Sequence, residues 1–569
     1  MGQVFFGLFQ KPEKTQIGYG LALVLAISGA VSCTPEVYHT RADRESFSIL
    51  YDKTPEVDNV EQESVDITPP EPIDLGKFRK KSTGVEFLGK LARSERGASV
   101  LALDEALSTS VNHGRDYLSE KERVYLSALN LTLARYQLAP IFSANGSGLR
   151  RSDARSAQLE QGMTDLVATN TFARNQGAGF SMLHRTGARI SADFTQDFLR
   201  FMTGNRSVNS SALAIAVAQP LLQGGGTKVT LEALTQAERD LLYDLRDFAN
   251  FRRTFVVDVV SDYYGVLRSR DQVNNSWLAY QGFLKNIERE EALAEEDRRT
   301  QTEIGQLRQA TLSAESRWVN SVRDYETRLD NFKVSIGVPV DKSVVLEESE
   351  LSRLAIDDPD LTREQAVTIA LVTRPDLVTA ANQVEDAERR VKVAKNGLLP
   401  GLDVDVRYDV ISNPGDTTPD LNGSRRSWSS SLDLDLPLDR KSERNDYRAS
   451  FIFLERAKRS DDLARERVRL QIYDDWRAIE QARTNFKIAE QGVSLSLRRL
   501  EEQRLLAELG KGEARDLVDA QNDLVNAQNQ RTSTLVDHTL ARLRLWRDMG
   551  ILYINSNGSW VKKLENEDR

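Results

Sequence analysis

One unit of sequence occurs twice in this chain, and that repeat constrains the fold more than any single motif. LALDEALSTSV opens a helix whose Ala106 stands 34 residues before Pro140, and LTREQAVTIAL opens one whose Ala366 stands 34 residues before Pro400. Each proline ends its helix, in LARYQLAPIF and AKNGLLPGL. Strand-like sequence follows, then a second proline: Pro220 in VAQPLLQGGG and Pro437 in LDLPLDRKSE. Each second proline opens a very long helical stretch, 229–303 and 439–508. The first is interrupted at Gly305, the second at Gly510 and Gly512. A further helix then ends at glycine, Gly337 in SIGVP and Gly550 in DMGIL. The unit is therefore helix, strands, long helix, turn and short helix, in a chain that is mainly α with a small β part.

Length turns this plan into geometry. At 1.5 Å per residue the long stretches are each about 105–110 Å. Two short helices stacked end to end match one long helix. The turns at Ile304-Gly305 and Leu509-Gly510 then lie at one end and all strands at the other. The helices are amphipathic but too polar to stand as single rods, so they must pack as coiled coils or as a wall.

The strands alternate. In LDVDVRYDV, Leu402, Val404, Val406 and Tyr408 share one face and Asp403, Asp405, Arg407 and Asp409 the other. SLDLDLPL sets Leu432, Leu434 and Leu436 against Asp433 and Asp435. ARISADFTQDF sets Ile190, Ala192 and Phe194 against Arg189, Ser191 and Asp193; SALAIAVAQP sets Leu213, Ile215 and Val217 against alanines. Such a pattern fits a half-buried antiparallel sheet or a membrane barrel with an apolar outside and a polar lumen. The helices project away and leave nothing to cover the apolar face, which favours the barrel. Four main strands are too few to close one, since eight is the practical minimum, so several chains must share it. Trp428 and Tyr408 are candidates for the lipid–water boundary or for packing. Residues 143–188 form a long polar insertion, read as an extra hairpin or an external loop.

The first 80 residues differ from the rest. Lys11 and Lys14 precede an apolar run of about fifteen residues, short for a membrane span and suited to a signal segment. It ends at Ala30-Val31-Ser32-Cys33, and Cys33 is the sole cysteine, so no intramolecular disulfide is possible. The tetrapeptide resembles a bacterial lipobox, with Ala30 where leucine is usual. Cys33 is thus a candidate lipid-attachment site, against the alternatives of a plain signal peptide or a signal anchor. Residues 34–80, with DNVEQESVDITPPEPIDL, are poor in apolar residues and read as an extended tether. The expected organisation is a signal peptide over 1–32, a lipid-anchored tether over 33–80, repeats over 81–340 and 341–552, and a tail over 553–569.

Composition narrows the function. A net charge of −9 argues against nucleic acid as a partner. His39, His113, His184 and His538 lack ligand-spaced neighbours, so no metal site or other cofactor is expected. Gly224-Gly225-Gly226 lacks the Lys-Ser/Thr of a phosphate loop and reads as a chain reversal. No catalytic motif is present, and an enzyme is not expected.

Residues 101–140, VAQPLLQGGG, TRPDL (373–377), AKNGLLPGLDVDVRY, LDLPLD and GKGEARDLVDAQNDLVNAQ (510–528) together resemble the TolC-like outer-membrane efflux protein family, over roughly 100–552. The resemblance implies a homotrimer with a twelve-stranded barrel in the outer membrane and an α-helical tunnel through the periplasm. It also implies a periplasmic adaptor and an inner-membrane transporter as partners, and a lipid anchor at Cys33. Export of drugs, metals or proteins follows, with the driving force supplied by the pump. Ile304, Gly305, Leu509 and Gly510 match the family's adaptor-docking tips. Asp516 and Asp519, one helical turn apart on one face, match acidic residues that ring the closed entrance, with Arg515 as a nearby partner. The first repeat has Thr311 at the equivalent position, and the family's arginine two residues after the tip glycine is Gly512 here. A pore-free coiled-coil envelope lipoprotein is the competing reading, but it gives the alternating strands no purpose.

Overall fold

The computed structural model describes residues 34–158, 164–201, 207–295, 300–357, 359–413, 421–509 and 511–562. Cys33, Gly510 and the expected signal peptide lie outside them.

In chain order the elements are α1 (Pro35–Lys53), β1 (Ser99–Leu101), α2 (Leu103–His113), α3 (Arg115–Tyr136), β2 (Ile141–Gln158), β3 (Thr164–Leu183), β4 (Arg189–Phe201) and β5 (Ser207–Pro220). Next come α4 (Glu232–Glu295), α5 (Gln301–Ser335), β6 (Val344–Leu346), α6 (Arg363–Thr373), α7 (Pro375–Gly397), β7 (Gly401–Ile411) and β8 (Arg426–Asp435). Last come α8 (Lys441–Glu508), α9 (Ala514–Asp548), β9 (Leu552–Ile554) and β10 (Trp560–Lys562).

The repeat extends to details. α5 and α9 are both 35 residues long, and α4 and α8 have 64 and 68 residues, roughly 96 and 102 Å. The helix expected before each first proline is two helices. The breaks fall at Gly114 (φ −64, ψ 122) and Arg374 (φ −74, ψ 121), nearly the same backbone. At Gly114 a Cβ would meet the Ser110 carbonyl oxygen at 2.4 Å. At Arg374 the break is held by side-chain bonds: the guanidinium grips Asp376 at 3.0 and 2.8 Å, Gln471 at 3.0 Å and the Asp548 carbonyl at 3.2 Å. TRPDL is thus a staple joining α6 and α7 to α8 and α9, with Pro375 starting α7.

Near the sheet the helix wall runs α3, α4, α7, α8; toward the far end α5, α4, α9 and α8 pack together. The parallel β1–β6 pair joins the repeats. The main core lies there, around Leu101, Tyr117, Phe248, Tyr263 and Phe332.

The expected tether is not extended. α1 packs on α3, and Ile49, Leu50, Val57, Val60 and Val65 are buried in the main core. These few apolar residues all face one way, so a segment too polar to fold alone folds against the body. The Arg252 guanidinium, fully buried, locks it there by donating to the carbonyls of Asn59 at 2.5 Å and Ile554 at 2.9 Å. The tail expected from 553 likewise begins inside the β9–β10 hairpin, with Ile554 buried.

The sheet has six strands in the order β2-β3-β4-β5-β7-β8, all antiparallel. The four main strands expected are β4, β5, β7 and β8, and β2 and β3 add two more on the edge next to β4. The insertion is the hairpin β2–β3, whose many glycines and serines blur the alternation that marks the other strands.

Candidate functional site

The alternation read from sequence becomes two faces of one sheet. On one, Leu402, Val404, Val406 and Tyr408 of β7 stand opposite Leu434, Leu432, Ser430 and Trp428 of β8. Trp428 is 75% exposed, and Leu432 and Leu434 are also exposed, so none of the described residues covers the face. On the other face Asp403 stands opposite Asp433, and Asp193 opposite Ala214 opposite Asp409. Small and charged side chains line that side, with Arg189 and Arg407 among the aspartates.

The base of the sheet is tied to the helices through the glycine run. Gly224 and Gly226 take φ of 76 and 95, making the expected reversal. The Gly226 N–H donates to the Thr186 carbonyl at 3.0 Å, and the Gly224 N–H to the Asn396 side chain at 2.8 Å.

At the far end, the expected tip residues divide. Gly305 does not make a turn: it lies within α5, without positive φ, and Ile304 is buried. The helix starts earlier, at a capping box. The Thr300 hydroxyl accepts the Glu303 N–H at 3.3 Å, and the Glu303 carboxylate accepts the Thr300 N–H at 2.9 Å. Thr-Gln-Thr-Glu was the readable signal; the glycine distracted from it. Leu509 ends α8 and is 68% exposed. The Leu506 carbonyl accepts the N–H groups of Lys511 and Gly512 at 2.9 and 3.0 Å. A Cβ on Gly512 would meet the Ala507 nitrogen at 2.9 Å, so this tight reversal leaves no room for a side chain there.

Asp516 and Asp519 lie in the first two turns of α9, both exposed. Leu517, Ala520 and Leu524 on the other face pack on Leu500 of α8. Arg515 approaches Asp519 at 3.9 Å, and Asp523, one turn on, pairs with Arg499. Asp516 and Asp519 are thus exposed beside the α8–α9 packing, while Asp523 bridges to α8. In the first repeat, the Thr311 hydroxyl instead donates to its own helix at the Leu307 carbonyl.

An acidic pair, half-buried Asp475 and buried Asp548, escaped the sequence reading. Burial and the neighbouring Asp548 push the Asp475 carboxyl up to about 7. The Arg547 guanidinium donates to both Asp548 carboxylate oxygens, at 2.7 and 2.9 Å. The pair sits where α8 meets the end of α9, far from the tip.

Residues 366–549 match the outer membrane efflux protein family. No curated protein matches the chain in sequence. In structure, the chain is similar to the Campylobacter jejuni CmeC outer membrane channel at 14% identity, over 88% of this chain and 95% of that one, with a TM-score of 0.58. The outer membrane protein VceC of Vibrio cholerae is similar at 12% identity, over 79% and 96%, with a TM-score of 0.57. The open state of the Neisseria gonorrhoeae MtrE outer membrane channel is similar at 12% identity, over 79% and 88%, with a TM-score of 0.56. At these identities the likeness is one of fold.

Proposed function

From the match of residues 366–549 to the outer membrane efflux protein family and the fold shared with outer-membrane channels, we propose that this chain is the exit duct of a tripartite efflux or type I secretion system. Three copies form one conduit through the outer membrane and periplasm. The observation that carries this reading is the two-faced sheet: an apolar side that no described residue covers, a small and charged side, and helices that continue from it for about 100 Å.

The conduit is passive. A periplasmic adaptor docks at the tips around Leu509 and the α4–α5 reversal, and an inner-membrane transporter supplies the driving force. Asp516 and Asp519, repeated three times around the axis, ring the periplasmic entrance, and a ring of carboxylates attracts cations and rejects anions. Cys33 is the lipid-attachment site. The packing of α1 on α3, the helix that leads into β2, supports an anchor held by the body rather than by a loose tether.

Mass measurement in detergent and ion release from proteoliposomes test the proposal together. A mass of three chains with rapid release supports it. A folded protein of any mass that releases nothing favours the pore-free envelope lipoprotein.

A further inference from the structure

The second repeat gives the sheet two strands and the first gives it four. Near the base of the sheet the additional pair, β2–β3, keeps the same two faces as the rest; farther along, Gln176, Arg174 and Arg150 join the side of Phe142 and Phe180. Phe142, Phe180, Ala192, Ile215, Tyr408 and Trp428 stand opposite one another in a single row across all six strands. The next row, on the other face, is Ser143, Gly179, Asp193, Ala214, Asp409 and Ser427. In these two rows one side is apolar and the other small or polar across all six strands, so the base of β2–β3 continues the wall rather than capping it.

The pair is also built into the base of the sheet. The turn between β3 and β4 holds Gly187 at φ 95, where a Cβ would lie 3.0 Å from the Gly224 carbonyl oxygen. The Thr186 hydroxyl donates to the Gln219 side chain at 2.9 Å, and Gln219 donates back to the Thr186 carbonyl at 3.2 Å. Beyond the top of β4, β2 and β3 remain paired from Ser152–Asn170 to Gln158–Thr164, an overhang of roughly 24 Å.

β2 and β8 are the free edges of the sheet. They are also the strands attached to opposite flanks of the helix wall: β2 follows α3, and β8 leads into α8. Those flanks carry unpartnered apolar pairs with a spacing of seven. On α8, Ile488 and Leu495 are exposed; on α5, so are Leu312 and Val319. Ile488 and Leu495 lie 20 and 13 residues from the tip end of α8, Val319 and Leu312 lie 18 and 11 from that of α5. The two stripes are at matching heights, as two helices in a heptad contact require. Width agrees as well. Six strands span roughly 29 Å, and four helices side by side roughly 32–40 Å.

Resting on the trimeric-channel reading, we propose that β2 of one copy pairs with β8 of the next, and that three copies close an eighteen-stranded barrel with β2–β3 as wall strands. An open strand edge is not tolerated in lipid, and a second copy of this chain is the occupant that serves both edges at once. Seating β4 against β8 instead would sacrifice the long β3–β4 ladder from Thr171–Phe201 to Leu183–Arg189. Barrel diameter grows roughly linearly with strand number, so the lumen would be about half again as wide as that of twelve strands. The β2–β3 tips would stand as a collar above it.

Paired cysteines in the full-length, membrane-assembled protein test this. Ser143→Cys or Ser147→Cys on β2 is combined with Ser427→Cys, Ser429→Cys or Ser431→Cys on β8. Ser191→Cys or Thr195→Cys on β4 is combined with the same β8 positions, and the unsubstituted chain controls for Cys33. On a non-reducing gel, at least one β2–β8 combination should convert more than half of the monomer to linked dimer and trimer, with no β4–β8 link. Linkage from β4 to β8 would overturn the proposal and restore twelve strands. So would a trimeric mass without any β2–β8 link. A monomeric mass with no link of either kind would overturn the channel reading as well, which the mass alone distinguishes.

Discussion

Tyr408 stands directly opposite Trp428 across the β7–β8 ladder, on the face that none of the described residues covers. An aromatic pair there fits the level where rings sit between lipid and water. The other tryptophans, Trp277, Trp318, Trp476, Trp546 and Trp560, belong to the helical body or the β9–β10 hairpin. Brominated lipid should therefore quench part of the fluorescence of reconstituted wild type. Trp428→Phe should lose most of that quenchable part; unchanged quenching in the variant would place the membrane elsewhere.

The carboxylates at the start of α9 predict an electrostatic effect. Asp516→Ala/Asp519→Ala should lower cation preference in a salt gradient while leaving thermal unfolding within about 0.5 kcal/mol, as for exposed positions. Reversal potentials identical to wild type would remove the pair from the conduction path.

Arg374 should matter for folding alone. It satisfies Asp376, Gln471 and the Asp548 carbonyl at the α6–α7 break. Arg374→Ala should cost about 1–3 kcal/mol, and Arg374→Lys should not restore the planar two-point grip on Asp376. Denaturant unfolding reads the loss; a variant as stable as wild type would contradict the staple.

Asp475 makes a pH prediction. Its folded-state carboxyl is raised to about 7, so the native state holds a proton that the unfolded chain releases near pH 4. Stability from this site therefore falls as pH rises from about 4 to about 7, and the cost is complete above that. Asp475→Asn should raise the melting temperature at pH 8 and flatten its dependence between pH 5 and 8. Equal slopes in both proteins would contradict it.

The folded segment after Cys33 predicts that Leu50→Ala, at a fully buried position, costs about 2–5 kcal/mol. An extended tether would lose nothing.

How much of this was legible depended on where the information resides. Prolines 140, 220, 400 and 437 and the doubled spacing are local signals, and they placed the helices and the four well-patterned strands. Tyr408, Trp428 and the Asp403–Asp433 side followed from period two alone. The fold of 34–80 was not readable, because Ile49, Leu50 and Val65 gain a core only from helices far away in sequence. β2–β3 was ambiguous because Gly146, Gly148, Gly177 and Gly179 leave little side chain to alternate. Gly305 misled because glycine is tolerated inside a helix, at a cost of roughly 1 kcal/mol, while the Thr300–Glu303 cap marks the actual start.

Single-channel recording in a planar bilayer tests the central claim most directly. The purified protein should give discrete, cation-preferring steps, with that preference reduced by Asp516→Ala/Asp519→Ala. A folded protein that inserts and never conducts, in either form, would contradict the account and leave the two-faced sheet without a pore to line.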